Sequence, residues 1–258
     1  MASQMATMAT QKDIVVSLAD GETDAVLFQP SGEGKFPGII YLTDIGGIRA
    51  AQRQAAQRLS NEGYAILMPN VFYRTSKPPV MDIAALRPNP ELFMKRVREL
   101  TEPLTPEAQE RDAKGYVEYL NTFAPGKMGV VGFCFCGAVA MRIAAACPDR
   151  IAACASFHGG NLYEYKPTSP HLLLPQIKAR LLFGHAENDR SMPAEAITAF
   201  ETALKNWVGQ YESETYEGAL HGWTTLDNPV YNPAQAARAY EKLTTLFAET
   251  LGSPQPSA

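Results

Sequence analysis

A cysteine stands in the turn Gly132-Phe133-Cys134-Phe135-Cys136-Gly137, between an apolar β-type run, Met128 to Val131, and an alanine-rich helical stretch that Pro148 stops. Small residues two before and two or three after one nucleophilic side chain are the signature of a strand–turn–helix elbow. Such a turn needs them because strand and helix nearly touch there. Gly132, Cys136 and Gly137 hold those positions around Cys134. The spacing therefore marks Cys134 as a nucleophile, a thiol where such elbows usually carry a serine. Cys136, Cys147 and Cys154 read as small apolar fillers, the usual fate of free cysteine. A C-x-C metal site lacks the second Cys/His pair that a closed zinc site requires, so no metal is assigned.

A thiol with an ordinary pKa near ~8.5 needs a base or a positive field to react at neutral pH. Of the four histidines, His221 alone lies beyond the last expected strand, in a loop flanked by Gly218 and Gly222. The order nucleophile, acid, histidine then asks for a carboxylate after an intervening strand. Asp189 fits, with Glu187 as its rival in the same loop. In this arrangement His221 takes the proton of Cys134 and Asp189 holds the imidazole tautomer. An oxyanion would be received by two backbone amides, those of Phe135 and Ile45. His158 and His185 follow strands and read as polar groups at strand ends, with lining of the pocket as the alternative for both; His171, in Ser-Pro-His-Leu-Leu-Leu-Pro, reads as structural.

These residues need a frame that brings strand ends together. Buried-strand runs occur at 38–42, 64–68, 128–131, 151–157 and 179–184, with a last strand at 211–216. They alternate with helical stretches at about 49–62, 105–123, 194–207 and 233–251. Two further strands, 13–18 and 24–28, open the chain around Gly21 as a hairpin. The alternation predicts one α/β domain over 12–251 with a mostly parallel sheet and helices on both faces. Residues 1–11 are expected to be a disordered leader and 252–258 a disordered tail. Phe72 to Leu104 interrupts the rhythm with Pro78, Pro79, Pro88, Pro90 and Pro103. An insertion at the carboxyl end of a strand reads either as a cap over the substrate or as a solvated connector.

Composition narrows the setting. The 258 residues are 46% hydrophobic and 19% charged, with a net charge of −4, which suits a globular protein and offers a polyanion nothing, so no nucleic-acid partner is expected. The N-terminal segment has neither a cationic nor an apolar region of the secretory kind, and no apolar run approaches a membrane span. A cytoplasmic protein with reduced thiols is the expectation.

Taken together, several ordered pieces resemble the dienelactone hydrolase family. They are Gly-Phe-Cys-Phe-Cys-Gly at 132–137, Asp-Ile-Gly-Gly at 44–47, Gly63-Tyr64 leading to Pro69, and Phe72-Tyr73-Arg74. Ala186-Glu187-Asn188-Asp189 with Pro193, and Tyr216-Glu217-Gly218 leading to His221-Gly222, complete the set. The resemblance spans about residues 12 to 248. It implies an α/β-hydrolase fold, a Cys134–His221–Asp189 triad, no cofactor, and a small ester or lactone as substrate, opened through an acyl-thioenzyme. It also implies a carboxylate beside the resting thiol, for which Asp44 stands where glutamate is usual. An arginine four residues after the catalytic histidine is replaced by Thr225. A second substrate arginine belongs to the 72–104 region, where Arg74, Lys95, Arg96 and Arg98 compete; Arg74 and Trp223 join Asp44 and His158 as candidate pocket residues. Two other readings stand beside this one: a non-catalytic binding or thiol redox-sensor protein, and the same triad acting on another ester class such as phosphate triesters.

Overall fold

The computed structural model describes residues 9–32 and 34–252. The chain opens with β1 (Thr10–Leu18) and β2 (Gly21–Gln29), continues through β3 (Gly38–Leu42), α1 (Ala50–Asn61) and β4 (Ala65–Pro69), and then enters the proline-rich stretch with α2 (Ile83–Leu86) and α3 (Pro90–Thr101). After it come α4 (Pro106–Asn121), β5 (Met128–Phe133), α5 (Cys136–Ala146), β6 (Ile151–Phe157), β7 (Arg180–Ala186), α6 (Ala194–Asn206), β8 (Tyr211–Tyr216) and α7 (Pro233–Leu251). The eight strands form one sheet in the order β1-β2-β4-β3-β5-β6-β7-β8. β1 with β2 and β2 with β4 are antiparallel; every pairing from β4 onward is parallel. The sheet is thus mostly parallel and covered on both faces, as the alternation predicts.

Side chains alternate across the strands. Ile40, Leu42, Val130, Cys154, Leu181 and Phe183 face a core shared with residues of α4, α5 and α6. Ile39, Tyr41, Val131, Phe133, Ala155, Phe157 and Leu182 face a second core closed by Ala56 and Leu59 of α1 and Ala239, Leu243, Leu246 and Phe247 of α7. Burial on both sides is why these strands carry continuous apolar runs. It also makes β5 and α5 the rigid centre of the molecule, since every residue of β5 is buried.

Three boundaries differ from expectation. β1 begins at Thr10, two residues inside the expected leader: it pairs with Gln29, and Ala9, already buried, donates its amide to Asn61. The rest of the expected leader and all of the expected tail beyond Gly252 lie outside the described residues. The Ser-Pro-His-Leu-Leu-Leu-Pro segment is a short 3-10 helix, Pro170–Gln176, not a plain loop, with Pro175 inside it. The 72–104 stretch carries two helices capped by Asp82 and Asn89, whose side chains accept from Ala85 and Leu92 amides. Arg96 braces the stretch internally, reaching from α3 back to Val80 and Ser76.

Candidate active site

Cys134 has φ 56°, the left-handed region that non-glycine residues rarely occupy. The turn leaves no room for a larger neighbour: a Cβ on Gly132 would fall 2.0 Å from the Cys136 carbonyl oxygen, and one on Gly137 would fall 2.2 Å from Ser156 Oγ of β6. These two approaches fix the side chain of Cys134 at the carboxyl end of β5, clear of the sheet.

Three loops meet it there. His221, in the loop after β8, places Nε2 3.0 Å from Cys134 Sγ, and its Nδ1 lies 2.6 Å from Asp189 Oδ2 in the loop after β7. The carboxylate of Asp189 is buried and held in turn by Ser191, whose amide and hydroxyl both donate to Oδ1 at 2.8 and 2.7 Å. Burial works against charge on both members of the pair. The hydrogen bonds win: those from His221 and Ser191 pull the Asp189 carboxyl below its ordinary value, and those to Asp189 and Cys134 raise the imidazolium of His221 to about 10. Glu187, the rival acid, is used elsewhere: its carboxylate accepts the Gly218 amide at 2.7 Å and pins the loop that carries His221.

His158 sits behind the thiol, at φ 40°. Its Nδ1 accepts the amide of Cys134 at 3.1 Å, so the proton is on Nε2, which donates to Thr224 Oγ1 at 2.8 Å. Burial, with the charge of His221 nearby, drives its pKa well below the ordinary value and keeps it neutral. His185 and His171 are structural: His185 reaches Ser213 and burial lowers it to about 4, while His171 stacks on Tyr163 and meets Ser169.

The thiol opens onto a cavity of about 1350 Å³ lined by Cys134, His221, His158, Asp44, Ile45 and Phe135 together with residues of α2, α3, α4 and α5. The proline-rich stretch forms one wall through Met81, Ile83, Phe93 and Val97. The amides of Phe135 and Ile45 have no acceptor among the described residues. A smaller cavity of about 500 Å³ between α1 and α7 reaches Thr224 and Thr225 but includes none of Cys134, Asp189 and His221.

Three expectations for the pocket need correction. Arg74 does not line it: its guanidinium forks onto Asp112 at 2.7 and 2.8 Å and onto Asp20 at 2.7 Å, locking the β1–β2 turn to α4. Trp223 is fully buried behind His158, 5.1 Å between ring centroids, and stacks on Tyr216, because an indole is best hidden in that aromatic cluster. Asp44 does line the cavity, but none of its hydrogen bonds goes to the thiol. Its oxygens accept from Gly46 N at 2.9 Å, from Arg49 at 2.6 and 2.8 Å and from Gln52 at 3.0 Å. Thr225 Oγ1 approaches the same carboxylate at 3.4 Å.

Ser191, Thr224 and Arg49 are absent from the sequence reading of the site. For Ser191 a signal exists, since serine two residues after an aspartate is a common side-chain-to-backbone turn; Thr224 and Arg49 carry none. Arg49 also binds Asp227 at 2.8 and 3.0 Å, so one guanidinium joins the loop after β3 to the loop after β8.

Comparison with known proteins follows the same lines. The profile of the dienelactone hydrolase family matches residues 23–251. Carboxymethylenebutenolidase of Rhodococcus opacus is 29% identical over 238 residues, covering 90% of each chain. Carboxymethylenebutenolidase of Pseudomonas putida is 24% identical over 238 residues, covering 89% of this chain and 92% of its own. Among solved structures, the dienelactone hydrolase-like promiscuous phosphotriesterase P91 from metagenomic libraries superposes with a TM-score of 0.75 at 19% identity, over 94% of this chain and 99% of its own, a likeness of fold. With the profile running from β2 to the end of α7, the chain belongs to the dienelactone hydrolase family, a family of hydrolases acting on ester and lactone bonds.

Proposed function

We propose that the protein hydrolyses small carboxylic esters or lactones with Cys134 as nucleophile, through an acyl-thioenzyme. The observation that carries this is the unbroken contact series Cys134 Sγ to His221 Nε2 at 3.0 Å and His221 Nδ1 to Asp189 Oδ2 at 2.6 Å, at the floor of an open cavity.

In the first half-reaction Cys134 attacks the carbonyl carbon as a thiolate, its proton already held on His221 Nε2. The C=O π electrons move onto oxygen, and the amides of Phe135 and Ile45 donate to the oxyanion. Phe135 lies at the N-terminus of α5, where the unpaired amides favour negative charge. Collapse re-forms the carbonyl and breaks the C–O bond; the leaving alkoxide takes the proton from Nε2. Water then attacks the thioester, giving its proton to His221, and the second collapse returns the thiol. Asp189 holds the imidazole throughout, and Ser191 fixes Asp189.

The names of the relatives point to a lactone as the natural electrophile. Hydrolysis of p-nitrophenyl acetate and of dienelactone by the wild type, Cys134→Ala and His221→Ala tests the reading. Turnover by the wild type that falls at least about 1000-fold in both variants is expected. Equal turnover in Cys134→Ala would remove the thiol mechanism.

A further inference from the structure

Phe135, Ala138, Val139 and Arg142 all line the cavity. Their spacing is one face of α5, so this face leads from the elbow over two small apolar residues to an arginine. At about 1.5 Å rise per residue, Arg142 stands on the order of 10 Å along the helix from the thiol.

Arg142 is unlike the chain's other well-shielded arginines. Arg49 and Arg74, with side chains 18% and 15% exposed, each fork onto two carboxylates. Arg142 is only 8% exposed, yet among the described residues its single hydrogen bond goes from Nη2 to the carbonyl of Thr168, and no carboxylate lies within ion-pairing distance. Glu107, Glu110 and Glu164 are close enough to favour its charge, but burial outweighs them and draws its pKa down. Glu164 is spent on Lys166 at 2.8 Å, and Glu107 turns to Thr105 and its own backbone amide. Gln109, between two of these glutamates on α4, lines the same cavity and is also incomplete. Its amide nitrogen donates to the Leu104 carbonyl at 2.6 Å, while its Oε1 is buried without a partner. Buried polar atoms are ordinarily paired.

We infer that Arg142 is an anion-binding residue for substrate, and that the cavity takes an extended ester whose carboxylate terminus reaches Arg142 while its apolar chain lies over Ala138 and Val139. The role in turnover rests on the hydrolase reading; the binding site rests on the geometry of α5 and α4. A carboxylate would accept from the free Nε and Nη1 of Arg142, and a hydroxyl or water accompanying it would donate to Gln109 Oε1. A volume of about 1350 Å³ leaves room for such a chain beyond any compact ring.

Two esters of equal length test this: p-nitrophenyl hydrogen suberate, with a terminal carboxylate, and p-nitrophenyl octanoate, without one. In Arg142→Met the ratio of kcat/KM, suberate over octanoate, is expected to fall about 10- to 100-fold, the usual loss of a charged hydrogen-bonded partner. Arg142→Lys should recover part of it. A ratio that does not move, or a matching fall in Arg87→Met at the exposed mouth of the cavity, would overturn the assignment. Calorimetric binding of octanoate is the second readout, with Kd rising about 10- to 100-fold in Arg142→Met; equal affinity would also overturn it. Arg142-dependent octanoate binding without hydrolysis of either ester would leave the anion site and remove the hydrolase reading. Hydrolysis of both esters at a ratio indifferent to Arg142 would do the reverse.

Discussion

His158 and Cys134 are joined by a hydrogen bond of 3.1 Å in which the imidazole Nδ1 accepts the backbone amide of the thiol-bearing residue. Both residues have positive φ, so each strained backbone position lies against the other. The Cys134 amide is shared with the Phe157 carbonyl at 3.1 Å, so the ring nitrogen is its second acceptor. His158→Asn, which tolerates positive φ and offers an oxygen there, should keep more esterase activity than His158→Leu. The leucine variant should lose about 1–3 kcal/mol of stability by urea denaturation.

Thiol reactivity should be confined to one of the four cysteines. Burial pushes the thiols of Cys136, Cys147 and Cys154 above their ordinary value, whereas Cys134, half-buried as Cys147 is, has His221 Nε2 3.0 Å away. Limited alkylation with iodoacetamide at pH 7, read by peptide mass mapping, should mark Cys134 first. Its rate should drop about 10-fold or more in His221→Gln, since the thiolate is the reacting form.

The contact of His221 with Asp189 should leave a mark on stability against pH. The folded pKa of His221, about 10, lies above its unfolded value near ~6.5. Its contribution is therefore fully present below about pH 6.5 and is lost as pH rises towards 10, because the folded state holds the extra proton in that window. Urea midpoints of the wild type should decline between pH 7 and 10, and His221→Gln should flatten the decline.

Gly132→Ala places a methyl group 2.0 Å from the Cys136 carbonyl, backbone against backbone. Neither partner has a flexible end to move aside. A loss above about 3 kcal/mol is expected, visible as a collapse in soluble yield or in the thermal midpoint.

Arg49 offers a graded test of the bond between the two loops. Asp227 is exposed, so Asp227→Asn should cost less than about 1 kcal/mol. Arg49→Met removes the only ion-pair partner of the buried Asp44 carboxylate among the described residues, leaving it Gly46 and Gln52, and should cost about 1–3 kcal/mol. Denaturation midpoints of the two variants and of the double variant separate the contributions.

The frame and the meeting of Cys134, His221 and Asp189 were legible because each rests on a local signal. The apolar runs that mark β3, β4, β5, β6 and β7 are continuous since both faces are buried. The elbow is written in Gly132 and Gly137, and His221 and Asp189 follow their strands in the order the fold imposes. What stayed hidden is decided by long-range packing. Nothing near Arg74 announces that Asp20 and Asp112 will claim it, nor does Trp223 announce that it will face Tyr216 and His158 instead of substrate. That Arg142 meets the Thr168 carbonyl but no carboxylate among the described residues is likewise invisible in an alanine-rich helix, because it depends on what α4 and the Thr168 loop supply.

Cys134 and His221 are 87 residues apart, and the loop bearing His221 follows β8, the edge strand added to the sheet next to β7. During synthesis the elbow can therefore be complete while its base is still unmade, and contacts of such separation form late. A nascent chain ending short of β8 would carry Cys134 without His221 beside it. The contact between thiol and imidazole therefore exists only in a chain made through the loop after β8.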